Sequence, residues 1–230
     1  IDTLTLSANG EGGDALFGGT PQPFGDSGGD GTGGNIAFNA TSGTLNVTND
    51  VNLSATGIGG QGSNTSRAIG RNGGSATGGT IVVDFGEFVT VNAPTAAFIL
   101  NASGTGGSAG NEVGGPFFVG GLGGDGTGGS ATVNIGSDLI DFQSYAVQAS
   151  GAGGNGGLGF DGGQAGNGTG GTAAINVISA AMADLAGPTL IAQGTGGSGG
   201  AGGEERKHHR VPRIFSLPTP VGVHERMMPQ

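Results

Sequence analysis

The side chains able to do chemistry in this sequence are mainly carboxylates, and they fall into two sets. Asp84 with Glu87, and Asp138 with Asp141, lie close enough in sequence to serve as a general acid and base on an exposed row. Such a pair is what a carbohydrate-active or ester hydrolase or lyase would need. Asp14, Asp125 and Asp161 instead sit in glycine runs that approach the Gly-Gly-x-Gly-x-Asp-x-apolar-x nonapeptide of calcium-binding β-rolls. Asn9–Phe17 nearly fits it, Gly120–Gly128 has Thr at the apolar place, and Gly156–Gln164 has Gly there. In a β-roll the ligands come from tandem copies, and these three copies are scattered. A Ser–His–Asp arrangement would have to borrow His208, His209 or His224 from residues 204–230. With no Cys there is neither a thiolate metal site nor a disulfide framework. Enzymes that act on acidic sugars also use basic residues or a metal, and residues 1–203 hold only Arg67 and Arg71 against fourteen acidic side chains. The first expectation is therefore no catalytic residue and no cofactor. Asp84, Asp138 and Asp141 form the alternative acid–base set, and Asp14, Asp125 and Asp161 the alternative calcium set.

What would position these groups is a repeat. The segment Leu4-Thr5-Leu6-Ser7-Ala8-Asn9-Gly10 returns as Val51–Gly57, Phe98–Gly104 and Tyr145–Gly151, with a weaker copy at Leu190–Gly194. Its Ala falls at 8, 55, 102, 149 and 192, spacings of 47, 47, 47 and 43. A second anchor, Thr-Gly-Gly, begins at Thr32, Thr77, Thr127 and Thr169. Each anchor leads into a block of strand-forming residues: Asn35–Asn39, Thr80–Phe85, Ser130–Ile135 and Thr172–Val177. A third block, such as Thr44–Thr48 or Phe88–Asn92, lies between this strand and the Ala-ending one. Both outer strands alternate apolar and polar with period two, so one face is core and the other wet. Because the same residue types recur in each repeat, the apolar faces are best buried by winding, with equivalent strands stacked in parallel. The sequence predicts an all-β, three-sided parallel β-helix over residues 1–203, with three strands per coil, a repeat of about 47 residues and four to five coils. The Ala column should point inward. Asn39, Asp84, Asn134 and Asn176 should form a ladder of side-chain amides rather than a binding row.

Between the Ala-ending strand and Thr-Gly-Gly lies a glycine-rich excursion, which accounts for much of the 57 Gly of the 230-residue chain. Four long excursions at one corner of the coils, each with a mid-loop apolar spot (Leu16-Phe17, Ala68-Ile69, Phe117–Val119, Leu158 with Phe160), are expected to lie against one another in extended, polyproline-II-like form. The apolar spots would then make a small second core. A Thr-x-Thr ice-binding face is not expected, since Thr3/Thr5 and Thr90 do not continue into later coils.

The formal charge of −10 excludes nucleic acid as a partner on electrostatic grounds. No apolar run approaches the roughly 20 residues of a membrane span, so no transmembrane segment is expected. The chain opens at Ile1 with nothing resembling a signal peptide, so a fragment or processed piece is expected. Open solenoid ends expose strand edges and favour self-association. Residues 204–230 break the pattern: four Pro, one Gly and no alternation. This tail is expected either to cap an open end through Val211, Ile214, Phe215 and Leu217, or to derive from a shifted reading frame or from cloning.

Thr-Gly-Gly followed by a Val/Ile-rich strand, then Leu-Ser-Ala-x-Gly and a Gly-Gly-x-Gly run, resembles the bacterial autotransporter and filamentous-haemagglutinin-like β-helix proteins across residues 1–203. The resemblance implies a right-handed β-helix that is secreted or held at the bacterial cell surface. It also implies an adhesive or structural role, binding through the exposed strand faces or the glycine-rich loops, with glycans or host-cell surface molecules as partners and no requirement for calcium.

Overall fold

The computed structural model describes residues 1–15, 25–65, 69–112, 119–136, 140–159, 161–177 and 188–200. Among these every regular element is a β-strand, and all the strand pairs are parallel. The largest sheet carries the strands read from the sequence: Leu4–Ser7, Asn35–Asn46, Val51–Ser54, Thr80–Asn101, Ser130–Ile135, Ile140–Gln148, Thr172–Val177 and Thr189–Ile191. Two further sheets consist only of two-residue strands. One stacks Gly31–Thr32, Ala76–Thr77, Gly126–Thr127 and Gly168–Thr169; the other stacks Gly10–Glu11, Gly57–Ile58, Gly104–Thr105, Gly151–Ala152 and Gly194–Thr195.

The register follows the repeat. Leu6 lies opposite Leu53, Leu53 opposite Leu100, and Leu100 opposite Val147. Asn39, Asp84, Asn134 and Asn176 likewise fall in one column. Where coils differ in length, the surplus is taken up at bends. The pairing shifts between Ala40 and Ser42 against Phe85 and Phe88, and again between Phe142 and Ser144. The three blocks of a coil were expected as separate strands, yet Thr80–Asn101 runs unbroken through two bends, because its backbone stays paired to neighbouring coils on either side of Gly86–Glu87.

The apolar columns close on one another as the core. Leu53, Leu100, Ile81, Val83, Val133 and Ile135 are buried, and the inner members of the Ala column, Ala55, Ala102 and Ala149, are fully so. Ala8 and Ala192, in the outermost described coils, are partly covered. Aromatic rings run through this core in tilted and edge-on contacts: Phe38–Phe85, Phe85–Phe98, Phe98–Phe142 and Phe142–Tyr145, with centroids 4.8–6.1 Å apart. These are the separations at which aromatic pairs add stability beyond burial alone.

The glycine excursions form a second lobe made of backbone. Outgoing segments bond to the next coil's outgoing segment at every third residue: Gly59, Gly62 and Thr65 donate to the carbonyls of Thr105, Ser108 and Asn111. Returning segments do the same, with Gly70, Gly73 and Ala76 donating to Val119, Leu122 and Asp125. A period of three is that of a polyproline-II-like helix. The two layers are then joined crosswise. Gly29 donates to Gly13, Gly60 to Gly29, Gly74 to Gly60, Gly107 to Gly74, Gly124 to Gly107, Gly154 to Gly124, Gly166 to Gly154 and Gly197 to Gly166. This zigzag of amide-to-carbonyl bonds climbs through the whole described stack.

Of the expected second apolar core only three members fall among the described residues. Ile69, Val119 and Leu158 are largely exposed, and Leu16, Phe17, Ala68, Phe117, Phe118 and Phe160 lie outside the described residues. Glycine fills the lobe because nothing larger fits. A Cβ on Gly107 would lie 1.9 Å from the carbonyl oxygen of Gly60, and one on Gly154 would lie 1.9 Å from that of Gly107. Conformation is not the reason, since Gly43, at φ 105°, is the one described residue with positive φ.

The contrast within one column makes this testable. Gly13 is the column-mate of Gly60, Gly107, Gly154 and Gly197, but a Cβ there would meet nothing within 4 Å. Gly107→Ala should destabilise by about 3 kcal/mol or more, because two backbone layers must separate. Gly13→Ala should gain about 0.4–1 kcal/mol by narrowing the unfolded ensemble. Urea unfolding at low protein concentration measures both; equal effects from the two substitutions would contradict close packing as the reason for glycine.

Candidate functional site

A residue in the glycine lobe presents its amide in one of three directions, and the third is what the acidic and amide side chains serve. In the triplet Gly59-Gly60-Gln61, Gly59 donates to the coil ahead and Gly60 donates across to the other layer. Gln61 faces outward, and its amide donates to Oδ1 of Asp14 in the coil behind, at 2.7 Å. The motif recurs on both layers. Asn64 accepts from Asn111, Asn111 from Leu158 and Asn155 from Ser198; on the returning layer Asp30 accepts from Ser75, Asn72 from Leu122 and Asp125 from Asn167, at 2.6–3.0 Å. Each side chain brackets one coil to the next and satisfies an outward amide that water would otherwise have to serve.

Asp14 and Asp125 thus have backbone partners in this structure. Asp161 is exposed, and its own carbonyl accepts from Gly120. The three aspartates stand in different coils. Among the described residues no group of three or more His, Cys, Asp or Glu is placed to hold a metal ion.

Of the acid–base candidates, Asp84 and Asp141 stand in separate columns. Asp84 sits in the expected ladder: Asn134 donates its side-chain amide to Asp84 Oδ1, Asn176 donates to Asn134 Oδ1 at 2.9 Å, and Asn39, with its amide turned to donate, reaches Asp84 Oδ2 at 2.9 Å. Both carboxylate oxygens of Asp84 are therefore engaged. Asp141 pairs in register with Asn92, eight residues beyond Asp84 in the coil behind and past the Gly86–Phe88 bend, so the two stand in separate columns. Asn92 in turn donates to Asn46 Oδ1 at 2.9 Å, a second and shorter ladder. Glu87 is exposed at that bend. Asp138 lies outside the described residues, as do His208, His209 and His224. Burial in the core pushes the phenol of Tyr145 well above its ordinary range, and the charge of Asp141 pushes it the same way.

Sequence reasoning foresaw the Asn39–Asn176 ladder but missed the brackets. Their signal was present in part: an Asp or Asn follows the glycines at Gly13-Asp14, Gly29-Asp30, Gly110-Asn111, Gly124-Asp125 and Gly154-Asn155, whereas Asn64 and Asn72 follow Ser63 and Arg71. With the glycine segments read as loops, that recurrence resembles a ligand motif. With them read as stacked helices, it marks the outward column. No family model, curated protein or solved structure matches the chain.

The bracket role separates from a calcium role by substitution. Asp14→Asn and Asp125→Asn keep an acceptor oxygen in place and should leave the melting temperature within about 2 °C of the parent, while Asp14→Ala and Asp125→Ala should each cost about 1 kcal/mol. Millimolar calcium or a chelator should change none of these values. A melting temperature that rises steeply with calcium in the parent and not in the Asn variants would establish a metal site instead.

Proposed function

We propose that this chain is a structural and adhesive module of a secreted or surface-exposed bacterial protein, built as a right-handed parallel β-helix with three strands per coil and a repeat of about 47 residues. The observation that supports this reading most is the repetition of polar columns on the outside of stacked coils. The ladder side chains of Asn39, Asp84, Asn134 and Asn176 serve one another, which leaves the exposed strand faces beside them, the glycine-rich segments and the outward Thr32/Thr77/Thr127/Thr169 column to present the same chemistry rung after rung, about 4.8 Å apart. A polymeric or multivalent ligand such as a glycan can engage such a surface at several rungs, each contact weak and the sum strong. Glycans and cell-surface molecules are accordingly the proposed partners, and no catalytic group or cofactor is invoked.

The hydrolase or lyase alternative needs a local acid–base pair, and the engagement of both Asp84 oxygens within a ladder argues against that residue as the acid or the base. A retention assay on immobilised glycans and on cells, run beside a screen of polysaccharide and ester substrates, tests the proposal. Retention without turnover is expected. Turnover that is abolished by Asp84→Asn or Asp141→Asn, with folding intact, would replace the adhesive reading with an enzymatic one. Neither retention nor turnover would leave a spacer.

A further inference from the structure

One aromatic ring stands apart from the rest. Phe38, Phe85, Phe98, Phe142 and Tyr145 pack on one another in the core, but Phe88 is 77% exposed, more than any other large apolar side chain among the described residues. Phe88 lies in mid-stack, within Thr80–Asn101, a strand paired with the coil behind and the coil ahead. Its neighbours Val89 and Val91 are buried, so alternation fixes Phe88, Thr90 and Asn92 on one outward face. The coil behind sets Ser42, Thr44 and Asn46 beside them in register, all exposed, and Ser42 is too short to shield a ring.

The far end of this row is made of acceptors. In the first ladder Asp84 lies between two amide donors, Asn39 and Asn134. The second ladder ends differently. Asn92 gives its side-chain amide to Asn46, and the residue in register with it on the coil ahead is the exposed Asp141. Among the described residues no group donates to Asn92 Oδ1 or to the Asp141 carboxylate. Adjacent rungs, about 4.8 Å apart, thus present two acceptors with no protein donor between them. Glu87, exposed beside Phe88, adds a carboxylate at the aromatic end, and no Lys or Arg occurs between Arg71 and Arg206. From Phe88 to Asn92 the strand covers about 13 Å, enough for a short oligosaccharide rather than one sugar. A cation is attracted both by the face of a Phe ring and by a carboxylate, and an anion is repelled.

We infer that Phe88, Asn92 and Asp141 form a binding subsite for a glycan that carries amino groups. One sugar ring lies with its apolar face on Phe88, and an ammonium group further along the glycan donates to Asn92 Oδ1 and the Asp141 carboxylate. Thr90, between the two ends, offers a hydroxyl that donates or accepts. The inference rests on the adhesive reading above and narrows it to one site and one ligand class. A neutral glycan keeps the stacking and loses the ion pair, while an acidic glycan meets like charge at Glu87 and Asp141.

The test uses the full chain and soluble oligosaccharides, with binding followed by calorimetry. Glucosamine oligomers should bind, their N-acetylated counterparts about ten-fold more weakly, and galacturonic acid oligomers more weakly still. Phe88→Ala should weaken binding of both glucosamine forms about ten-fold or more, and Phe88→Trp should retain it. Asp141→Asn should remove the preference for free amino groups and leave the N-acetylated oligomers unaffected, and about 0.5 M salt should do the same. Both side chains are exposed, so these variants should keep the parental melting temperature. Glycan binding that survives Phe88→Ala, or that is lost with Thr77→Ala/Thr127→Ala instead, would overturn the site while leaving adhesion in place. Preference for the acidic oligomers would overturn the ligand class. A parent that binds none of the three would overturn the inference alone if immobilised glycans or cells still retain it, and the adhesive reading with it if they do not.

Discussion

The constraint on which the rest depends is a contact distance. In the glycine lobe, neighbouring backbones approach until a carbonyl oxygen stands where a side chain would begin, about 2 Å from the position of the missing Cβ at Gly60, Gly107, Gly154 and Gly197. Only glycine permits that approach, and the approach brings every third amide within reach of the opposite layer. Ordering so much glycine costs more backbone entropy than ordering any other residue. What offsets it is a dense set of backbone hydrogen bonds in three directions, with Cα–H groups facing carbonyls as a smaller contribution. The lobe is held by its main chain where the other half of the molecule is held by Leu100, Val133 and Phe98.

That division explains the distribution of charge and amide side chains. A triplet with one amide forward and one across leaves a third facing water, and an Asp or Asn from the coil behind is of the right length to meet it. Asp14, Asp30 and Asp125 are thus part of the lobe's hydrogen bonding, and Asp84 belongs to a ladder on the strand side. The acidity of the chain arises in part from these acceptors, which link its coils.

The strand half was legible from the sequence because alternation and spacing act together there. The Ala column, the Leu6/Leu53/Leu100/Val147 column and the Asn39–Asn176 ladder each follow from aligning repeats, and each is found in register. The glycine lobe was legible only as extended segments lying against one another. Its main-chain packing left no such signal: Ile69 and Leu158 suggest burial in an ordinary protein, yet both are exposed here, and the described interior of the lobe is filled by glycine backbone. The nonapeptide-like runs around Asp14, Asp125 and Asp161 illustrate the same ambiguity. Glycine at close intervals with an aspartate suits a calcium turn and a bracketed polyproline-II-like stack equally well, and only the partner of the carboxylate separates them. Bend lengths, such as the shift between Phe142 and Ser144, left no periodic signal because they are where the period fails.

If adhesion is the task, the rigidity of the glycine lobe matters as much as its chemistry, since a repeated polar surface recognises a repeated ligand only while its spacing is fixed. Residue-resolved amide hydrogen exchange measures that rigidity directly. The crosswise bonds predict that the amides of Gly60, Gly74, Gly107 and Gly124 exchange as slowly as those of Val133 and Leu100 in the strand core. Exchange of those glycine amides at unstructured-chain rates, with the strand amides still protected, would contradict the account: the excursions would then be mobile loops on a solenoid rather than its second half.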